Sequence, residues 1–251
     1  MVKLSVAIIT YNEEKNIERC LKSIQLVADE IVVVDSFSTD ATESICKKYN
    51  VTFIPHIFEG HIQQKNYALT QCSSDYVLSL DADEALSETM LQEILKIKSD
   101  WKYDGYFFNR LNHYCGKPVK FSGWYPDKSL RLWNKTKGAW GGSNPHDRFI
   151  MQPNTTMYYI KEDILHYTFH SIEQHLDQIH KFSTISAKSK FEKGKKSNWS
   201  KILLYPIWRF VRGYIIKQGF RDGYTGFIIS KNSAFAVYLK YMKLYNLQNH
   251  K

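Results

Sequence analysis

Asp81 and Asp83 stand two residues apart at the end of the apolar run Tyr76-Val-Leu-Ser-Leu, with Glu84 next in line. In extended backbone, residues i and i+2 face the same way and lie roughly 6–7 Å apart. One hard cation carrying phosphates can therefore bridge two such carboxylates. The same residues also read as a strand-end turn entering a helix whose first turn takes Glu84 and Glu88. Three more polar segments follow or lie near apolar runs: Thr10-Tyr11-Asn12-Glu13, Asp35-Ser36-Phe37-Ser38-Thr39-Asp40 and Lys65-Asn66. Together they offer an aromatic face for a base, carboxylates for ring N–H and ribose hydroxyls, and a cation for phosphate.

These residues need elements to hold them. Leu4 to Thr10, Ile31 to Asp35, Val51 to Pro55 and Tyr76 to Leu80 read as strands. Between them Glu14 to Leu26, a segment capped by Ser38 or Thr39 and reaching about Tyr49, and Gln63 to Gln71 read as helices. Alternation of this kind builds a mostly parallel α/β sheet, and ligands bind at the carboxyl ends of its strands. No GxGxxG and no Walker loop follows the first strand, so dinucleotide and kinase-type readings lose their main support. From Asp104 to Tyr159 the chain turns aromatic, with turn signals at Gly116-Lys117-Pro118 and Gly141-Gly142, which predicts extra strands and long loops. Ser171 to Glu192 and Lys201 to Lys217 then read as helices, Pro206 suiting a first turn. Gly219 to Gly223 reads as a bend and Gly226 to Tyr245 as a further helix.

The combination TYNE, VVVDSFSTD, QQKNYA and LSLDADE, in that order, resembles family 2 glycosyltransferases of the GT-A fold. The resemblance implies a Rossmann-like nucleotide-binding sheet flanked by helices. It also implies nucleotide-sugar binding by Thr10, Tyr11, Glu13, Asp35 and Lys65, and metal-diphosphate contact by Asp81 and Asp83. It extends through LRLW at 130–133, NPHDR at 144–148 and ILHY at 164–167, and is similar to the branch containing lipopolysaccharide inner-core β-1,4-glucosyltransferases. That branch carries a His-Glu pair where this chain has His146-Asp147, a carboxylate one methylene shorter.

An inverting transfer needs a base beside the acceptor hydroxyl, opposite the leaving diphosphate, and Asp147 is the candidate. A Mg2+ or Mn2+ ion held by Asp83, Asp81 and His166 would offset charge on the leaving group. Each residue also has a plainer role. Thr10 and Glu13 suit helix caps, Asp35 a turn, Lys65 a solvated charge, Asp147 an ion pair with Arg148, and His166 a satisfied core position. Arg131 either reaches a phosphate or pairs with Asp127. Trp124, Tyr125, Trp133 and Trp140 either stack on sugar rings or pack a core.

The chain has 251 residues, 43% hydrophobic and 24% charged, enough to bury a core and too apolar for disorder. Cys20, Cys46, Cys72 and Cys115 lie far apart with no CxxC, which points to reduced thiols. Residues 1–180 hold 19 Lys and Arg against 23 Asp and Glu, whereas residues 181–251 hold 15 against two. A basic tail of this kind suits a polyanionic surface. Leu203, Leu204, Ile207, Trp208, Phe210, Val211, Tyr214 and Ile215 share one helical face, apart from Lys201, Arg209, Arg212 and Lys217. An anionic membrane leaflet is the expected partner, with packing on the catalytic body as the alternative; nucleic acid is not expected, since no binding motif accompanies the charge.

The expectation is a catalytic domain over residues 1–170 and a helical, membrane-associating extension over 171–251. With no secretory signal or span in view, a cytoplasmic enzyme on the inner face of the membrane follows, moving glucose from UDP-glucose to a lipid-linked glycan. The rivals are a sugar nucleotidyltransferase, whose basic glycine-rich loop is replaced here by TYNEEKN, and an inactive membrane-binding module.

Overall fold

The computed structural model describes residues 1–143 and 146–249. Its elements run β1 Leu4–Thr10, α1 Ile17–Ile24, β2 Glu30–Asp35, α2 Thr42–Cys46, β3 Thr52–Pro55 and α3 His61–Gln71. Then follow β4 Tyr76–Asp81, β5 Glu84–Leu86, α4 Glu88–Ser99, β6 Gly105–Tyr114, β7 Lys117–Pro118, β8 Asp127–Asn134, β9 Gly138–Ser143, β10 His146–Met151 and β11 Met157–Phe169. The main sheet has the order β3-β2-β1-β4-β8-β6-β11-β5, and β9 and β10 form a separate antiparallel pair. The fold is α/β: β3, β2, β1 and β4 run parallel, while β8 joins β4 and β6 antiparallel.

Both faces of β1 are covered, so its sequence is a continuous apolar run rather than an alternating one. Leu4, Val6 and Ile8 pack with Ile17, Leu21 and Ile24 of α1 and Met90 and Ile94 of α4. Ala7 turns the other way, with Val32 and Val34, onto Ala68 and Leu69 of α3. On that second face Trp133 is fully buried, stacks on Phe149 at 4.0 Å between centroids and meets Trp140 edge-on at 5.5 Å. The β9–β10 hairpin is thereby fastened to the sheet, and Trp133 and Trp140 are core residues rather than sugar platforms.

Two compact units divide the chain, Met1–Arg110 with Asp127–His166, and Leu111–Pro126 with the residues from Tyr167 onward. In the second unit α5 Ile172–Glu192 is capped by Ser171, whose hydroxyl accepts from Gln174 N at 3.2 Å. Next come α6 Trp199–Val211, a π turn over Arg212–Ile216, a 3-10 turn over Gly219–Asp222 and α7 Gly223–Asn249. The Asp222 carboxylate accepts from the backbone of Lys120 and Phe121, at 3.2 and 2.8 Å, and so ties the 111–126 segment to these helices. Gly226 lies so close to the Gly219 carbonyl that a Cβ there would stand 1.8 Å from the oxygen, which only glycine allows.

Several local expectations are corrected. Pro206 sits inside α6, because Asn198, accepting from Lys201 N at 3.0 Å, starts the helix at Trp199. Ser38 and Thr39 cap nothing; α2 begins at Thr42, whose N–H and hydroxyl both donate to Asp40. Glu84 lies in β5 rather than in a helix turn, and α4 starts behind Ser87. Gly141 and Gly142 run within β9 instead of turning. The helices otherwise differ from expectation in length, α1 starting at Ile17 and α7 reaching Asn249. Cys20, Cys46 and Cys72 are buried and Cys115 is exposed, all free thiols.

Trp133→Ala is expected to lower the unfolding free energy of the protein by about 3–5 kcal/mol in urea titration. A loss below about 1 kcal/mol, the size of an ordinary surface change, would contradict the packing described.

Candidate active site

The carboxyl ends of β1, β2 and β4 lie side by side, since Thr10 is the register partner of Asp35 and Ile9 that of Asp81. Period-2 alternation and parallel pairing thus bring the Thr10–Glu13, Asp35–Asp40 and Asp81–Asp83 segments to one edge. The helix following β3 supplies Lys65. Hydrogen bonds from Gln64 to Ser36 Oγ at 3.2 Å and between Gln64 and His56 Nδ1 at 2.9 Å fix the start of that helix to the loops. Asn66 clasps Trp140 of β9 in both directions, its amide donating to the carbonyl at 2.9 Å and its oxygen accepting from Trp140 N at 3.0 Å. This clasp holds the β9–β10 hairpin against α3, and Asp147 on β10 arrives at Lys65.

Lys65 is not a solvated charge. It is 6% exposed, its Nζ lies 3.0 Å from Asp81 Oδ1 and 2.8 Å from Asp147 Oδ2, and it stands 4.5 Å from the centre of the Trp140 ring. The partner of Asp147 is therefore Lys65. Arg131, 3% exposed, donates from Nη2 to Asp81 Oδ2 at 3.0 Å and to Glu84 Oε1 at 2.6 Å. The Asp127 partner considered for it is taken by Arg110, at 2.9 and 2.7 Å. Burial works against ionisation of Asp81, but Lys65 and Arg131 overcome it and hold its carboxyl well below the usual range. Burial likewise opposes the charge on Arg131, which Glu84 and Asp81 more than offset, raising its pKa.

Asp83 points elsewhere, its Oδ2 lying 3.1 Å from His166 Nε2. Burial disfavours the imidazolium, yet the bond to Asp83 prevails and the pKa of His166 rises. Glu13, at the end of the first loop, is pushed up to about 7 by burial and by the negative field of Asp83, Asp40 and Asp81, against a lowering hydrogen bond from Asn16. Asp35 is buried and accepts from Ser38 N at 2.7 Å and Ser38 Oγ at 2.5 Å. Tyr11 is 58% exposed, and Thr10 is buried with a hydroxyl that finds no hydrogen-bond partner among the described residues. His146 and the preceding Asn144-Pro145 fall outside the residues whose side chains are described.

Among the described residues no three His, Cys, Asp or Glu side chains stand together as a metal cage. The donor set that fits a Mg2+ or Mn2+ ion is Asp83 with His166, one carboxylate and one imidazole, the remaining ligands to come from phosphate and water. Asp81, with a cation on each oxygen, is less suited to it. The buried Glu84 and Arg131 and the half-buried Arg110 form an ion-pair group whose arrangement the motifs do not announce. Its one visible signal is a third acidic residue directly after the DxD, on a strand too short to show a period.

The Glycosyl transferase family 2 model matches residues 5–153 of this chain. An uncharacterized glycosyltransferase of Rickettsia bellii (strain RML369-C) is 32% identical over 257 residues, covering 98% of this chain and 87% of the relative. The lipopolysaccharide core biosynthesis glycosyltransferase LpsC of Rhizobium meliloti is 28% identical, covering 96% and 92%. Among solved structures, residues 1–349 of TarS from S. aureus align over 92% of this chain and 90% of that one, with 15% identity and a TM-score of 0.49. With more than half its length under one family model and a relative of this identity spanning nearly all of it, the chain belongs to glycosyl transferase family 2.

Proposed function

We propose that this glycosyltransferase is an inverting, metal-dependent hexosyltransferase that moves glucose from UDP-glucose onto a lipid-linked glycan of the cell envelope, at the inner face of the cytoplasmic membrane. The observation that carries the reading is the meeting of Lys65, Asp81 and Asp147 at the sheet edge, with Asp83, just past the end of β4, hydrogen-bonded to His166 of β11. Family membership leaves the nucleotidyltransferase alternative without support. The envelope role leans on the likeness to LpsC.

In this mechanism Thr10, Tyr11, Glu13 and Asp35 take the nucleoside, and Lys65 and Arg131 provide positive charge beside the diphosphate. A divalent ion held by Asp83 and His166 would supply Lewis acidity to the departing diphosphate. Asp147 accepts the proton of the acceptor hydroxyl as the new bond to the anomeric carbon forms. The bond from that carbon to the diphosphate oxygen breaks, and its electron pair leaves with UDP. Lys65 fixes the Asp147 carboxylate in position through the 2.8 Å contact. No covalent sugar on the protein is needed, so one carboxylate base suffices.

The helical unit supports the membrane part of the reading. Leu203, Leu204, Ile207 and Trp208 of α6 and Ile215 and Ile216 of the π turn after it are all exposed, a concentration of large apolar side chains of the kind that marks an interaction surface. No described helix is long and apolar enough to cross a membrane. The face suits insertion at an interface, with Arg212 and Lys217 exposed near it to meet anionic headgroups. Arg209 is half-buried and burial lowers its pKa, so it contributes less to such a surface than its place in the sequence suggested.

Two outcomes test the proposal. Asp147→Asn is expected to cut transfer about 100-fold or more while UDP affinity stays within about twofold, and unchanged turnover would remove Asp147 as the base. Replacing Arg212 and Lys217 together with Glu is expected to release the protein from sedimenting vesicles that contain anionic lipid. Equal sedimentation of variant and parent would count against the leaflet.

A further inference from the structure

Phe37 holds a left-handed backbone, φ +60, in the loop after β2. A bulky aromatic residue rarely adopts that conformation, which glycine takes freely. Nor does burial compensate, since the side chain is 57% exposed. What imposes the conformation is the hydrogen bonding of its neighbours. Ser38 donates its N–H and its hydroxyl to the two oxygens of Asp35, at 2.7 and 2.5 Å. The Ser38 hydroxyl also accepts from Asn12 N at 2.8 Å, and Asn12 Oδ1 accepts from Thr39 N at 2.8 Å. Asn12 is itself left-handed, φ +54. The loops after β1 and β2 are thus clasped together, and Phe37 sits strained and uncovered at the clasp.

Backbone strain that the surroundings over-determine is found where a side chain must be held ready for a ligand. Tyr11, 58% exposed, directly precedes Asn12 on the facing loop. Thr10 and Asp35 are register partners on adjacent strands, so the two rings rise from strand ends about 4.8 Å apart. We propose that Phe37 is a recognition residue for the planar base of a nucleoside diphosphate, and that with Tyr11 it forms an aromatic rim on which the base stacks. The proposal rests on the donor reading above and adds a residue to it. The hydrogen bonds of the clasp hold the strained backbone, a cost that glycine would not carry.

The test measures UDP, with Mg2+ present, and inorganic pyrophosphate against the parent, Phe37→Gly and Phe37→Trp by calorimetric titration, with melting temperatures alongside. Phe37→Gly is expected to melt at or above the parent temperature, to bind UDP about tenfold more weakly and to bind pyrophosphate as the parent does. Phe37→Trp is expected to keep the parent affinity for UDP, with its indole fluorescence quenched on binding. Equal UDP affinity in Phe37→Gly and parent overturns the proposal. So does a matching loss for pyrophosphate, which would assign Phe37 to loop geometry alone. A parent that binds no UDP at all brings down the donor reading itself, an outcome distinct from either.

Discussion

A buried ammonium group between two carboxylates is the constraint on which the site depends. Lys65, 6% exposed, is paired with both Asp81 and Asp147, and Asp81 is held from its other oxygen by Arg131. Arg131 repeats the arrangement one step further in, joining Asp81 to Glu84, and Arg110 extends it to Asp127. Each buried charge has an opposite neighbour, so the group is stable as found. The Nη1 of Arg131, buried and without a hydrogen-bond partner among the described residues, leaves donor capacity within that group.

The fold serves this group by converging three kinds of element on it. Parallel strands deliver Asp81 and Asp83 and the first two loops, α3 delivers Lys65, and the β9–β10 hairpin delivers Asp147. The hairpin has no place in the main sheet, so its position comes from the Asn66 clasp and from the Trp133–Phe149–Trp140 packing. Those residues are remote from the chemistry in sequence but decide where the Asp147 carboxylate stands. The parallel half of the sheet supplies the edge where the loops after β1, β2 and β4 gather, and the antiparallel half supplies Arg110, Arg131 and His166.

Much of this was legible in the residues. The bounds of β1, the end of β2 at Asp35 and the start of β4 at Tyr76 follow from apolar runs stopped by polar residues, and Ser171 announces α5 as a cap does. What escaped the sequence depends on distant pairing. Leu130 to Trp133 is buried at every position, so alternation could not say that Arg131 turns toward Asp81. Lys65 reads as a cation for phosphate or a solvated charge, but its pairing with Asp81 and Asp147 is not visible, since those partners lie 16 and 82 residues away. Pro206 read as a helix start because the capping Asn198 sits in a polar stretch that resembles a break. Gly141 and Gly142 read as a turn, although both pair within the hairpin, opposite Arg148 and Asp147 of β10.

The role of Lys65 is tested most directly by titrating UDP, in the presence of Mn2+, into the parent and into Lys65→Met, which keeps the length and apolar stem of the side chain but loses its charge. Saturable binding by the parent and a loss of at least about tenfold in the variant are predicted, the scale of a charge-assisted contact. Equal affinity in the two would contradict a diphosphate site built around Lys65.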